Sequence, residues 1–177
     1  NALSKVTVNG SGHNTALGTH AGLAISTGVG NTCIGSNAGY TMNNESYNTF
    51  VGYYAGGEMN GGAIHSVAIG AAAMFAPSAA ATGSIAIGYY ALSGLTSGTR
   101  NMAIGYLSGQ DMSTSDDNVL IGWEVAKDAT TGFLKNVGIG NYAFQQVAAG
   151  VDAENNTAVG YESLAGVMTN AAHDNTA

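Results

Sequence analysis

The chain of 177 residues carries a net charge of −7, with 8% of its residues charged, 45% apolar, 27 Gly and a single Pro. Glycine at that level without a three-residue period excludes collagen, and the apolar content excludes a disordered tract. The four basic residues, Lys5, Arg100, Lys127 and Lys135, are scattered, which leaves nucleic acid no basic surface to bind.

From the amino end onward, a five-residue phrase ending in glycine returns nine times, first as Asn14-Thr15-Ala16-Leu17-Gly18 and last as Asn156-Thr157-Ala158-Val159-Gly160. Its glycines are Gly18, Gly35, Gly52, Gly70, Gly88, Gly105, Gly122, Gly140 and Gly160. A period this short and this persistent predicts an all-β parallel solenoid of about nine coils, each of 17–18 residues. We number each coil from its Asn as position 1, so the glycine is position 5.

Positions 2 and 4 run Thr15/Leu17, Thr32/Ile34, Thr49/Val51, Val67/Ile69, Ile85/Ile87, Met102/Ile104, Val119/Ile121, Val137/Ile139 and Thr157/Val159. These alternating strand formers predict one short strand per coil, with positions 2 and 4 facing a core and the coils stacked into a parallel sheet. Position 1 is Asn in seven copies and Ser in two, Ser66 and Ser84. Asn suits a corner, and stacked copies can join their amides into a ladder.

Position 3 is mostly small, with Ala16, Ala68, Ala86, Ala103 and Ala158 among its residues. If positions 2 and 4 point inward, position 3 points outward, where a one-sided strand should carry polar residues. Its small apolar character therefore predicts packing of Ala16, Ala68, Ala86, Ala103 and Ala158 against the same strip on other copies, about a rotational axis. After the glycine a small residue recurs at position 8, and eight to ten variable Gly, Ser, Thr, Asn and Asp residues form the outer return. One coil buries too little to offset the entropy of ordering it, so the rod must be cooperative along its axis.

The whole of 1–177 reads as a single repeat domain. Ala2-Leu3 matches the pair after the glycine in complete repeats such as Ala91-Leu92, and Asn175-Thr176-Ala177 opens another phrase; we expect a window of a longer fibre polypeptide. The span from Glu58 to Arg100 has no fixed charge between its ends, yet it contains Pro77 and two copies of the repeat, so membrane insertion of this segment is not expected.

Residues able to do chemistry are thinly spread. Cys33 occupies position 3 as an alanine substitute and has no partner for a disulfide. His13, His20, His65 and His173 lack metal-ligand spacing, and the carboxylates lie mostly in the returns. Neither an enzyme nor a cofactor is expected. Aromatic residues offer more: Tyr53, Tyr89, Tyr106, Trp123 and Tyr161 share position 6, and Tyr54, Tyr90 and Tyr142 share position 7. Position 6 lies on the side of Val51 and is expected in a core or an interface. Tyr54, Tyr90 and Tyr142 are the candidate contacts to a receptor or carbohydrate.

The phrases His65-Ser66-Val67-Ala68-Ile69-Gly70, Ser84-Ile85-Ala86-Ile87-Gly88-Tyr89-Tyr90-Ala91-Leu92 and Asn156-Thr157-Ala158-Val159-Gly160-Tyr161 resemble the head repeats of trimeric autotransporter adhesins. They are also similar to repeats of bacteriophage tail-fibre and tailspike-like proteins, and the long polar returns are closer to the latter. The resemblance implies a homotrimeric rod, hence two identical chains as partners, outside a cell or on a virion. The expected function is a structural and adhesive segment of a bacteriophage tail fibre, meeting a glycan or protein receptor on the host surface, with a bacterial surface adhesin head as the alternative. These coils are three or four residues longer than the adhesin repeats.

Two other solenoids compete. Leu17, Leu23 and Val29 fall six apart, as in hexapeptide acyltransferases, but later coils show no aliphatic residue recurring at the other two corners. An ice-binding solenoid would need a flat exposed Thr array, whereas Thr15, Thr32, Thr49 and Thr157 share a face with aliphatic residues, which suits an interior.

Overall fold

The computed structural model describes residues 12–76, 80–148, 150–166 and 172–177. Ala2, Leu3, Lys5 and Pro77 lie outside them. Nine strands form one parallel sheet: β1 (Thr15–Leu17), β2 (Thr32–Ile34), β3 (Thr49–Val51), β4 (Val67–Ile69), β5 (Ile85–Ile87), β6 (Met102–Ile104), β7 (Val119–Ile121), β9 (Val137–Ile139) and β11 (Thr157–Val159). A second parallel sheet, in the order β12-β10-β8, joins β8 (Phe133–Leu134), β10 (Ala153–Glu154) and β12 (Ala172–His173). Among the described residues there is no helix. The chain is thus a parallel β-solenoid whose nine rungs bound about eight turns.

Register follows the repeat. Each phrase pairs position for position with the next, as in Val67↔Ile85, Ala68↔Ala86 and Ile69↔Ile87. Hydrogen bonding between coils also continues past the three-residue strands and around the corners: Tyr54 N–H donates to the Ser36 carbonyl at 3.0 Å, Ala72 to Tyr53 at 2.8 Å and Tyr90 to Ala71 at 3.0 Å. The peptide groups of a coil are therefore satisfied mainly by its neighbours, which is why one coil cannot stand alone.

Corners are made by columns of left-handed residues at fixed positions. The residue before the Asn has positive φ in every coil, as at Tyr47, His65, Arg100, Asp117 and Lys135. So do position 7 (Asn37, Tyr54, Ala72, Tyr90, Tyr142) and position 9 (Gly39, Met74, Leu92, Phe144). An isolated αL residue costs a side chain little more than about 1–2 kcal/mol. Position 5 is stricter, because φ there runs from 128 to 140°, a region used essentially by glycine. These glycines also stack: a Cβ on Gly52 would lie 2.6 Å from the Gly70 carbonyl oxygen, and one on Gly70 would lie 2.6 Å from that of Gly88.

Position 1 forms the expected amide ladder. Asn14 Oδ1 accepts from the backbone N–H and the Nδ2 of Asn31 (2.9 and 3.1 Å), and Asn31 Oδ1 accepts likewise from Asn48 (3.0 and 3.2 Å). A second run links Asn101, Asn118, Asn136, Asn156 and Asn175 in the same way. From Asn14 to Asn156 each ladder Nδ2 also donates to a return carbonyl, as Asn118 does to Phe133 at 2.7 Å. The side-chain chain is interrupted at Ser66, whose hydroxyl donates to the Ala81 carbonyl at 2.6 Å, and resumes at Ser84, whose hydroxyl accepts from the Asn101 N–H at 3.2 Å. Asn118→Ala strands the buried Asn136 N–H and the Phe133 carbonyl, and is expected to cost about 3 kcal/mol in urea unfolding. The exposed Asn44→Ala should cost almost nothing.

The strand faces opposite to the sequence expectation. Position 3 points into the coil: Cys33, Phe50, Ala68, Ala86, Ala103, Leu120 and Ala158 are fully buried within the single chain, and Ala16 in the first rung packs against the same core. These alanines therefore cannot meet another chain, and the predicted packing strip is corrected. The reason is the bore of the solenoid. Position 3 shares a layer with position 8 (Ala21, Ala38, Ala55, Ala73, Ala91) and with position 12, larger at Ile25, Met42, Met59, Leu95, Met112 and Val147 and reduced to Ala129 in the coil of Leu120, all buried. Two small columns and one large one fill the cross-section at interior density. Where position 3 is large, neighbours shrink. A Cβ on Gly56 would touch the Phe50 ring at 2.6 Å, and one on Gly138 would come within 3.3 Å of Leu120.

Candidate functional site

With position 3 inside, positions 2, 4 and 6 face out along the full sheet. No residue at these positions is charged in any of the nine rungs. Aliphatic side chains occupy most of the strip, half-buried by one another in the middle rungs and open at the ends, where Leu17 is 67% and Val159 57% exposed. Charges sit at its two edges. At the corner before the Asn, Arg100 makes a bidentate pair with Asp117 (2.6 and 2.9 Å), which holds the Asp117 carboxyl below its usual range. At position 7, Glu124 Oε1 accepts from Trp123 Nε1 at 3.1 Å and its other oxygen lies 3.7 Å from Lys127 Nζ. The strip is thus an uncharged face with charged residues along its borders.

The position-6 aromatics stand on this outward side, as their alternation with Val51 requires, but in water rather than in a core. Tyr89 stacks on Tyr106 at 5.3 Å between ring centres, and Tyr106 stacks on Trp123 at 4.2 Å. Three coils thus form one continuous aromatic pile.

The position-7 tyrosines divide. Tyr54 and Tyr90 line one notch, together with Tyr53, Ala72 and Phe75, with a volume of about 220 Å³. Tyr142 lies away from it, edge-on to Tyr161 at 5.9 Å. The notch exists because the coil between the pairs Tyr53-Tyr54 and Tyr89-Tyr90 carries Ala71-Ala72 instead. That interruption was visible in the sequence. Phe75 was not, since it belongs to a return with no recurrent type at its position.

Other reactive groups stay apart. Among the described residues, no three His, Cys, Asp or Glu side chains come close enough to hold a metal ion. His65 stacks on Tyr47 at 5.4 Å, and His20 tilts against Tyr40 at 6.0 Å. Burial pushes the Cys33 thiol up to about 12, so it is protonated and inert at neutral pH. Glu45 is buried, with its carboxylate accepting from the Gly62 N–H at 3.0 Å and the Asn43 N–H at 2.5 Å. It closes a return rather than opening a cleft. No helix among the described residues is long and apolar enough to cross a membrane.

Comparison with known proteins adds no relative: no protein-family model, no curated protein and no solved structure matches the chain.

Proposed function

We propose that this chain is a structural and adhesive segment of an extracellular trimeric fibre, a bacteriophage tail fibre in the first instance, that takes part in attachment to a host. The observation that carries the reading is the uncharged strip along all nine rungs of a rod, aliphatic at position 4 in every rung and aliphatic or aromatic elsewhere except at Thr15, Thr19, Thr32, Ser36, Thr49, Asn141 and Thr157. Such a strip in water promotes association, and the partner that matches its axial repeat at every rung is an identical chain in register. Rungs at about 4.8 Å make the strip ~38 Å long. At a width of roughly 20 Å it offers on the order of 800 Å² per chain, one side of a standard interface. Two identical chains about a threefold axis would cover it, leaving the returns outside to meet a cell-surface glycan or protein. The similarity of the repeats to tail-fibre and adhesin-head repeats points the same way. No reaction and no cofactor is part of this reading.

The test joins mass to adhesion. Labelled protein is expected to sediment as a trimer and to bind saturably to a subset of bacterial strains, competing there with whole phage. Binding to animal matrix or cells, and to no bacterium, would favour the bacterial adhesin head instead. A monomer that adheres to neither contradicts both.

One alternative gains ground from the geometry. Thr15, Thr32, Thr49 and Thr157 lie on the outward face rather than in an interior, so the ground for setting aside ice binding is removed. What speaks against it is irregularity, since five of the nine rungs carry Val, Ile or Met at that position. A thermal hysteresis measurement on the purified protein decides: the fibre reading expects none.

A further inference from the structure

We propose that the notch between Tyr54 and Tyr90, floored by Ala72 and flanked by Tyr53 and Phe75, is a carbohydrate subsite that takes one uncharged pyranose ring. The inference rests on the adhesive reading and gives it a ligand class and a place. Tyr54 and Phe75 meet edge-on at 5.7 Å, Tyr53 and Tyr54 at 4.8 Å, and Tyr89 and Tyr90 at 4.6 Å. Each wall is thus braced by a second ring. Their backbones are fixed as well, because Tyr54, Ala72 and Tyr90 share the same left-handed corner (φ 53, 53 and 52°) and each N–H is bonded to the coil before. The site is formed before any ligand arrives, which lowers the ordering cost of binding.

Chemistry selects the occupant. All five lining residues are uncharged, so nothing there offsets the desolvation of a phosphate, a carboxylate or an amine. Tyrosine gives an apolar face and a hydroxyl tip. That combination suits a ligand with C–H groups on its faces and hydroxyls on its rim, which is a neutral sugar. The volume of about 220 Å³ falls below the roughly 300 Å³ of the smallest drug-sized pockets, so it admits one ring with the rest of a glycan continuing into solvent. Tyr142 does not line this notch and takes no part in the proposed subsite.

Ala72→Tyr is the informative variant. Tyr already occupies this corner at Tyr54, Tyr90 and Tyr142, so the backbone tolerates it, and the new ring would fill the notch. Saturation-transfer NMR on the intact protein, with methyl glycosides of glucose, galactose and mannose and with N-acetylglucosamine as probes, is expected to show transfer to the ring protons of at least one. N-acetylneuraminic acid serves as the charged comparison. Transfer should fall about ten-fold in Ala72→Tyr and in Tyr90→Ala, with the melting transition of Ala72→Tyr unchanged.

Absence of transfer to every neutral probe overturns the proposal, and so does transfer undiminished in Ala72→Tyr or confined to the acidic sugar. A neighbouring copy seated in the notch would give the first of these results. Cell attachment fully retained by Ala72→Tyr would also remove the subsite while leaving the adhesive reading in place. Glycoside binding by a protein that attaches to no cell would support the notch and remove the adhesive reading.

Discussion

Gly70→Ala is expected to destabilise the rod by at least about 3 kcal/mol and to leave it unfolded at physiological temperature in many preparations. Two costs combine. At φ 128° the backbone lies where L residues are rarely found, which by itself costs on the order of 1–3 kcal/mol. The added methyl also meets the Gly88 carbonyl, 2.6 Å from its oxygen and 2.7 Å from its carbon. Neither atom can yield, because Gly88 is fixed by the Gly105 beneath it in the same way. Gly62→Ala separates the two terms: φ is 86°, and nothing lies within 4 Å of the added methyl. That variant should show the conformational cost alone, about 1–3 kcal/mol. Urea unfolding of the pair checks the difference; equal losses would mean that contact between the glycines is unimportant.

Ile87→Asp and Ala86→Asp, one residue apart, are expected to fail in different ways. Ala86 is fully buried in the coil interior among apolar side chains. A charge there costs on the order of 3 kcal/mol or more and should unfold the chain. Ile87 points outward, so Asp at that position leaves the solenoid intact and places one carboxylate per chain in the proposed contact between copies. The β-rich circular dichroism spectrum is retained while the assembly dissociates. Exchanged outcomes, with Ala86→Asp merely dissociating and Ile87→Asp unfolding, would restore the inward assignment of positions 2 and 4.

The repeat makes much of this architecture legible in the sequence alone. Strand positions, their parallel register and the amide ladder at Asn14, Asn31 and Asn48 all follow from nine stacked copies of one phrase. The facing of the strand did not follow. Alternation says that position 3 opposes positions 2 and 4, but not which set is inside, and the larger β-branched residues were given the core. A thin solenoid reverses that preference, since its bore admits Ala68, Ala86 and Ala103 beside Ala73 and Ala91 but not a layer of isoleucines. The decisive clue was the position-12 column. Ile25, Met42, Met59, Leu95 and Met112 stand seven residues after their glycines, yet Met does not look aliphatic in a pattern search and the polar returns conceal the spacing.

The candidate site was readable in the same uneven way. Tyr54 and Tyr90 were identified, and the structure brings them to one notch because stacking turns a shared position into spatial proximity. Tyr142 shares that position but lies three coils beyond Tyr90, beside Tyr161, so a common position did not ensure a common site. Ala72 and Phe75 were missed. An alanine is informative only as a gap in a column of larger residues, and Phe75 reaches the notch from a return whose course the repeat does not determine.

The measurement that bears most directly on the role of the outward strip is the mass of the intact protein in solution by sedimentation equilibrium. Three times the 17.7 kDa chain mass, reduced to one chain mass by Ile87→Asp with the solenoid retained, is the expected result. A stable single chain with Ile69, Ile87, Ile104 and Tyr89 open to water would contradict it.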